Sequence, residues 1–219
     1  MATTDVEIRV AEDPAREAAA ILASVSGHLA LSGGGTVGRA YELAAELRPD
    51  WSGLDVWFGD DRAVPPNDER SNHRLVRAAL LDRLSRLPEV HRVRGELGAE
   101  AAAARYDDEL EGITLDLALN GIGPDGHTAS LFPGAPGLDE RARRAIAAEA
   151  GLEPFVPRVT MTPPMFADAA LLVYLVTGAG KAEAVRRAFA ADPSPDVPAS
   201  LIRGRETLAL LDPEAAASL

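Results

Sequence analysis

Apolar segments that favour β-strand alternate along the chain with longer segments in which apolar residues recur at helical spacing. The stretches "DLALNGIG" and "ALLVYLVTG" are continuous apolar runs that end in glycine, a pattern typical of buried parallel strands. Strands are predicted at 5–10, 27–31, 54–59, 115–119, 158–162, 170–177 and 206–211, and helices at 14–25, 37–48, 71–86, 98–111, 179–190 and 213–218. The alternation predicts an α/β fold of Rossmann-like type, with an open, mostly parallel twisted sheet and helices on both faces. No repeat or linker interrupts it, so we expect a single domain over residues 1–219.

Composition narrows the class of protein. The 219 residues carry a net charge of −12, which argues against nucleic acid and anionic membranes as partners. There is no cysteine, and the start "MATTDVEIRV" lacks the order of a signal peptide, so we expect a cytoplasmic protein. Its acidic surface, without an obvious large apolar patch, makes a monomer the default expectation. A bound phosphate would need local cations and backbone N–H groups.

The stretch "LALSGGGTVGRA" joins a predicted strand to a predicted helix through three consecutive glycines. It fits the G-x-G-x-x-G pattern of dinucleotide-binding proteins, and Asp60 lies near the spacing at which such folds place a ribose-binding acid. Glycines also let a backbone approach any other phosphate closely, beside the free N–H groups that begin a helix. A flexible turn without a ligand is the alternative to both. The residues of this glycine loop are Ser32, Gly33, Gly34, Gly35 and Thr36.

Two carboxylates and an arginine follow the next predicted strand in "VWFGDDRAVP". Ligands collect at the carboxyl ends of strands in open α/β sheets, so these side chains are candidates for a site. Asp60 or Asp61 would serve as a base, and Arg62 would either pair with them or bind an anion. We favour substrate binding by Arg62, with Asp60 holding the arginine in place. A solvated charged loop is the alternative.

The most informative stretch is "LNGIGPDGHTASLFPG", at residues 119–134. Asp125 and His127 lie two residues apart in a glycine-rich loop directly after a buried strand. A neutral imidazole accepts a proton near neutral pH, and a carboxylate beside it orients the ring and stabilises its cation. His28, His73 and His91 lie on a helix or at element ends, where structural or surface roles are expected. We therefore predict that His127 is catalytic.

Two further cations stand at element ends that reach the same edge of the sheet. Arg158 opens a predicted strand, and Lys181 opens a predicted helix after another strand. Lys181 is the one lysine among 22 basic residues, which suggests a place where a compact ammonium is required. Both cations are candidates to neutralise a phosphate, and a surface salt bridge is the alternative for each.

Taken together, these segments resemble the 6-phosphogluconolactonase family, within the wider glucosamine/galactosamine-6-phosphate isomerase superfamily. The string "DGHTASLFPG" is highly specific, and the matching segments run in family order over nearly the whole chain. They are "SGGGT" at 32–36, "DDRAVP" at 60–65, "SN" at 71–72, "GIGPDGHTASLFPG" at 121–134, "RVTMT" at 158–162 and "GAGK" at 178–181.

The resemblance implies a glucosamine-6-phosphate deaminase-like fold and hydrolysis of 6-phospho-D-glucono-1,5-lactone to 6-phospho-D-gluconate in the oxidative pentose phosphate pathway. It implies no cofactor and no metal. The catalytic residues are then expected to be His127, Asp125 and Asp60. The substrate and its phosphate are expected to contact the glycine loop, Arg62, Arg158 and Lys181.

Three positions depart from the family pattern. Asp61 stands where a glutamate is usual, which puts any role of this shorter acid in doubt. Val37 replaces the usual proline after the glycine loop, and His73 replaces the usual Tyr or Phe after "SN".

Three other functions are weighed against the lactonase. A dinucleotide-binding protein would leave the Asp-Gly-His loop without a task. An isomerase or deaminase of the same superfamily would have a motif closer to "DGHIAFNEPG", with an acid after the histidine, where this chain has Ser130-Leu131-Phe132. A non-catalytic sugar-phosphate sensor would usually carry a DNA-binding helical module, for which 219 residues leave no room.

Overall fold

The computed structural model describes residues 5–219 and builds them around a seven-stranded sheet in which neighbouring strands are all parallel. The ten strands are β1 (Val6–Val10), β2 (Gly27–Leu31), β3 (Leu54–Phe58), β4 (Asp60–Arg62), β5 (Glu89–Val90), β6 (Leu117–Asn120), β7 (Ala145–Ala148), β8 (Arg158–Met161), β9 (Leu171–Val176) and β10 (Glu206–Leu211). The large sheet has the order β1-β10-β9-β6-β2-β3-β5. The predicted α/β class is confirmed.

Six helices accompany the strands: α1 (Pro14–Ser24), α2 (Gly35–Leu47), α3 (Asn72–Ala79), α4 (Ala99–Glu109), α5 (Pro163–Ala167) and α6 (Ala182–Phe189). Helix α1 begins as its sequence predicts, with Pro14 at the first position and the Asp13 side chain accepting the N–H of Arg16. Helices α1 and α2 pack against each other, and both bury alanines, among them Ala18, Ala40 and Ala44. Within the described residues, no helix combines the length and apolar character needed to cross a membrane.

A second, three-stranded antiparallel sheet of order β4-β8-β7 was not expected. The predicted strand 158–162 forms β8 in this small sheet and not in the parallel one. Strands β4, β5 and β7 and helix α5 were missed because they are two to five residues long and lack a clear apolar period. The predicted helix 71–86 ends at Ala79, and the helix predicted at 213–218 is wrong because the chain there forms turns.

The register brings the functional segments to one edge of the large sheet. Leu31 pairs with Phe58 across β2 and β3, and Asn120 pairs with Tyr174 across β6 and β9. The loops after these four strands therefore begin side by side, as the carboxyl ends of neighbouring parallel strands must. The small sheet continues this edge, because the N–H of Met161 in β8 bonds to the carbonyl oxygen of Gly59 between β3 and β4.

Candidate active site

A cavity of about 550 Å³ opens at this carboxyl edge. Most residues predicted for the site line it: the five residues of the glycine loop, Asp60, Arg62, His127, Arg158 and Lys181. Asp125 is not among the lining residues, but it contacts His127 directly. Three separate loops and the small sheet thus converge on one polar space.

The glycine loop is held by a buried tyrosine of the helix that follows it. The hydroxyl of Tyr41 donates to the carbonyl oxygen of Ser32 at 2.7 Å and accepts the N–H of Ser32 at 3.1 Å. Gly34 has φ of 119°, a conformation that favours glycine, and it precedes the first helical residue, Gly35. No side chain caps this end of α2, so its first N–H groups and positive dipole end face the cavity.

The hydroxyls of Thr36 and Thr177 lie 3.0 Å apart at the other side of the loop. Thr177 follows β9 and also lines the cavity. It is a candidate hydroxyl donor that the sequence analysis missed, although it lies within the apolar run "LLVYLVTG" that pointed to this strand end.

His127 and Asp125 form the closest acid–base contact of the site. Nδ1 of His127 lies 2.6 Å from Oδ1 of Asp125, and the same oxygen accepts the backbone N–H of His127 at 3.2 Å. The carboxylate therefore holds the ring proton on Nδ1, which directs Nε2 toward proton transfer with the substrate water. The orienting role predicted for Asp125 now rests on a contact as well as on spacing.

Two features fix the imidazole further. A Cβ added to Gly123 would overlap the imidazole, so this position needs the absence of a side chain. On another side, the ring of Phe132 packs against the imidazole with centroids 4.7 Å apart.

Two backbone amides of this loop are already bonded within it. The N–H of Gly123 donates to the carbonyl oxygen of His127, and the N–H of Gly126 donates to the carbonyl oxygen of Gly123. These amides are occupied within the loop, so they are poor candidates for binding an oxyanion.

Asp60 is buried at the floor of the cavity and has specific partners for both oxygens. Oδ2 accepts the hydroxyl of Ser130 at 2.6 Å, and Oδ1 accepts the side-chain amide of Asn72 at 3.1 Å. Ser130 belongs to the loop that carries His127, so Asp60 ties that loop to β4 and α3.

Arg62 does not bond directly to Asp60, which corrects the expected pairing. Its Nη1 donates to the side-chain oxygen of Asn72 at 2.5 Å and to the backbone carbonyl of Arg70 at 2.8 Å. Asn72 therefore stands between the arginine and the carboxylate. It lines the cavity and was missed as a site residue, although the "SN" match marked its position.

Asp61 has a structural role at the start of α3. Its carboxylate accepts the N–H groups of Arg62, Asn72 and His73 and the hydroxyl of Ser71. Burial raises the pKa of Asp61 to about 6, while these N–H donors act in the opposite direction. Because its oxygens are engaged here and it does not line the cavity, the shorter acid satisfies a helix terminus and does not act as a base.

Val37 and His73, the other departures from the family pattern, differ in position. Val37 lies in the first turn of α2 and lines the cavity. His73 does not line the cavity. Its ring packs near Phe58 with centroids 5.7 Å apart, a contact that helps to hold α3 against β3.

Arg158 is almost fully buried, at 4 % exposure, and stands directly opposite Arg62 in the β4–β8 ladder. Its Nη2 donates to the carbonyl oxygens of Leu152 and Pro154, both at 3.2 Å. Burial lowers the pKa of Arg158, and the positive charge of Arg62 lowers it further. Within the described part of the chain, neither Arg158 nor Lys181 has a carboxylate within 4.0 Å, so the surface salt-bridge alternative is wrong for both.

Lys181 is half-buried in a short turn of 3-10 helix after β9. Burial lowers its pKa, and the negative charge of Asp125 partly restores it. Three cations and the positive end of α2 therefore line a cavity whose lining includes one carboxylate, that of Asp60. In a chain of net charge −12, this is a local excess of positive charge, which favours an anion.

Comparisons with known proteins identify the family of the chain. The sequence profile of the family described as "Glucosamine-6-phosphate isomerases/6-phosphogluconolactonase" matches residues 2–210. A 6-phosphogluconolactonase of Rhizobium meliloti is 38 % identical over 194 residues, which cover 84 % of this chain and 82 % of the relative. The solved structure of 6-phosphogluconolactonase from Trypanosoma cruzi is 27 % identical, with a TM-score of 0.85 over 99 % of this chain and 98 % of that one.

A monomeric glucosamine-6-phosphate deaminase is similar in fold alone. It is 22 % identical, with a TM-score of 0.85 over 98 % of this chain and 100 % of that one. The profile match over nearly all of the sequence carries the assignment: the chain belongs to the family of glucosamine-6-phosphate isomerases and 6-phosphogluconolactonases.

Proposed function

We propose that the protein hydrolyses 6-phospho-D-glucono-1,5-lactone to 6-phospho-D-gluconate in the oxidative pentose phosphate pathway. The observation that carries the proposal is the contact of His127 with Asp125 at the wall of a cavity that also holds Arg62, Arg158 and Lys181. A proton acceptor and an anion site in one cavity suit a phosphorylated ester. Relatives named 6-phosphogluconolactonase support this choice of substrate.

The phosphate is assigned to the glycine loop. There it would meet the first N–H groups of α2, the hydroxyls of Ser32 and Thr36, and the charges of Arg158 and Lys181. The Oγ of Ser32 and the Nε of Arg158 are buried without a partner among the described residues, so each has an unmet hydrogen bond close to the proposed phosphate site. Anchoring the phosphate here leaves the lactone ring to reach across the cavity toward His127.

The reaction then needs one water and no other co-reactant. Nε2 of His127 takes a proton from the water as its oxygen attacks C1, which forms a tetrahedral oxyanion. As the carbonyl re-forms, the bond between C1 and the ring oxygen breaks, and the imidazolium returns its proton to that oxygen. Asp125 stabilises the transient imidazolium through Nδ1.

Arg62 is assigned to the substrate and Asp60 to the support of the site. Gly123, Gly126 and His127 use their N–H groups within their loop, so a guanidinium is the better candidate to stabilise the oxyanion. Asp60 bonds to Ser130 and Asn72, which makes a proton-transfer role secondary to holding the cavity together.

The isomerase or deaminase alternative is weakened at one position. In the comparable motif "DGHIAFNEPG" the acid falls at residue 132, and this chain has Phe132 there, with its ring against His127. A phenyl ring provides no second carboxylate for proton shuttling on a sugar. The sensor alternative leaves the His127–Asp125 contact without a purpose.

We further propose that the enzyme acts as a cytoplasmic monomer on a diffusible lactone and requires no cofactor.

The test is a lactonase assay coupled to 6-phosphogluconate dehydrogenase. Purified protein should shorten the life of freshly made lactone far below that of its spontaneous opening, while glucosamine 6-phosphate should yield no ammonia. Lactone that decays at the background rate would overturn the proposal, and ammonia release would establish the deaminase instead.

A further inference from the structure

We propose that Asn72 is a positioning residue which keeps Arg62 and Asp60 apart, so that the charge of Arg62 remains available to the substrate. This inference rests on the substrate-binding role of Arg62 in the proposed function. It concerns one side-chain amide at the wall of the cavity, at the first residue of α3.

Strand geometry makes a direct pair between Arg62 and Asp60 the default arrangement. Residues two apart on a strand point to the same face, so the guanidinium and the carboxylate of β4 emerge side by side. With no group between them, Arg62 and Asp60 would form an ion pair that neutralises the arginine. The observed contacts are instead those of a three-part chain with Asn72 in the middle.

The amide of Asn72 satisfies both neighbours at once. Its oxygen accepts Nη1 of Arg62 at 2.5 Å, and its nitrogen donates to Oδ1 of Asp60 at 3.1 Å and to the Asp60 backbone carbonyl at 2.8 Å. A carboxamide is a neutral group that accepts from a cation and donates to an anion. Because it carries no charge, it orients Arg62 without cancelling it, and the Nε of Arg62 stays buried and unpartnered among the described residues.

The glycine loop is shaped around the same amide. A Cβ on Gly33 would overlap the side-chain oxygen of Asn72, so the loop passes directly over it. Asn72 is therefore packed between the proposed phosphate site and the proposed oxyanion partner, where a longer side chain would push the two apart.

The backbone of Asn72 is anchored independently of its side chain. Its N–H donates to Asp61 at 2.6 Å, and Ser71 caps α3 by accepting the N–H of Arg74. Substitution of the amide thus leaves the start of the helix in place. Ser71→Ala is the matched control, because it removes a buried polar group from the same helix terminus without touching Arg62 or Asp60.

The test is a double-mutant cycle on binding of 6-phosphogluconate, measured by calorimetry. Asn72→Ala should weaken binding by about tenfold or more, close to the loss in Arg62→Ala, and the double variant should bind no more weakly than Arg62→Ala alone. Ser71→Ala should lower Tm and keep the wild-type Kd. Losses that multiply in the double variant, or an equal loss in Ser71→Ala, would overturn the proposal.

A second variant covers the case in which Asn72→Ala does not fold. Asn72→Asp keeps the size but places a carboxylate against Arg62 and removes the donor to Asp60. Its affinity relative to wild type should be low at neutral pH and recover as the pH falls and the introduced carboxyl regains a proton. A ratio that does not change with pH would contradict the proposal.

The series separates this inference from the proposed function. If the wild type opens the lactone but the affinity losses of the two single variants multiply in the double variant, the role of Asn72 is refuted and the proposed function stands. A wild-type protein that binds 6-phosphogluconate but does not open the lactone refutes the function and leaves the cycle readable. If 6-phosphogluconate does not bind, the cycle is repeated with inorganic phosphate. Failure of both ligands to bind refutes the phosphate site and the role of Asn72, while the lactonase assay alone decides the proposed function.

Discussion

Arg62 and Arg158 face each other across the β4–β8 ladder, so two guanidinium groups of like charge are adjacent in one cavity. Each has a buried Nε without a partner in the described part of the chain, and burial together with Arg62 lowers the pKa of Arg158. Like charges that are close and partly desolvated repel, and an anion between them removes the repulsion. A phosphorylated ligand bound between the two guanidinium groups would therefore relieve this repulsion.

Inorganic phosphate should accordingly raise the Tm more than chloride does at equal ionic strength, since a ligand that binds the folded state stabilises it by mass action. Arg158→Gln should remove most of this shift, because loss of one partner of a buried charged contact costs on the order of 2–5 kcal/mol of binding. Differential scanning calorimetry measures both effects. Arg83→Gln, which breaks an exposed pair with Glu42, is the control and should respond to phosphate as wild type does. An unchanged shift in Arg158→Gln would exclude Arg158 from the anion site.

Arg62→Lys tests whether Arg62 acts through its planar guanidinium or only through its positive charge. Lysine keeps the positive charge but loses the planar guanidinium, whose Nη1 donates both to Asn72 and to the carbonyl of Arg70 and whose other nitrogens remain for the substrate. We expect a loss of about tenfold or more in kcat/KM, measured with the coupled lactonase assay. Near-normal kinetics would show that Arg62 acts as a charge alone.

Lys181 should link substrate binding to proton uptake. Burial lowers its pKa in the free protein, and a bound phosphate would raise that pKa again. At alkaline pH, binding of 6-phosphogluconate should therefore take up protons, and affinity should fall as the pH rises through the lowered pKa. Calorimetry in buffers of different ionisation enthalpy measures the uptake. Lys181→Arg is the matched control, since arginine stays charged and should bind without this uptake; equal uptake in both proteins would remove Lys181 from the phosphate site.

The parallel sheet and most of the cavity could be predicted because each leaves a local signal. "LALNG" and "LLVYLVTG" are buried strands whose apolar runs end where a loop must turn, so the loops that carry His127 and Lys181 fall at the carboxyl edge by topology alone. Asn72 and Ser130 could not be found in this way. Their roles depend on which side chain meets Asp60, a contact made across 12 and 70 residues of sequence.

The antiparallel sheet escaped prediction for a related reason. Strands of three or four residues, such as β4 and β7, have too few positions to show a period, and pairing with β8 stabilises them. This pairing nevertheless places Arg62 opposite Arg158. The adjacency of the two arginines in the cavity therefore depends on the part of the fold with the weakest sequence signal. Their positions at predicted strand ends and the family resemblance pointed to both arginines, and the ladder shows that they are adjacent.

Hydrolysis should survive exhaustive chelation. Among residues 5–219, no three His, Cys, Asp or Glu side chains are grouped so that they could hold a metal ion. The lactone is an activated ester, and a base with an anion site suffices for its opening. Initial rates after dialysis against a chelator, with and without added divalent ions, test this. Activity that is lost on chelation and restored by one specific ion would contradict the mechanism proposed here.

His127→Asn should bring kcat close to the spontaneous rate while binding of 6-phosphogluconate remains, because general base catalysis typically contributes about 10²–10⁴-fold and the phosphate contacts lie elsewhere. Asp125→Asn should lose less, since the imidazole persists but loses the carboxylate that holds its proton on Nδ1 and stabilises the imidazolium. His91→Asn is the control: His91 bonds to Asp55 and stacks on Trp57 outside the cavity, so its loss should affect stability and not kcat. A His127→Asn enzyme with kcat within a few-fold of wild type would remove His127 from the mechanism and make Asp60, the carboxylate on the cavity floor, the leading candidate for the base.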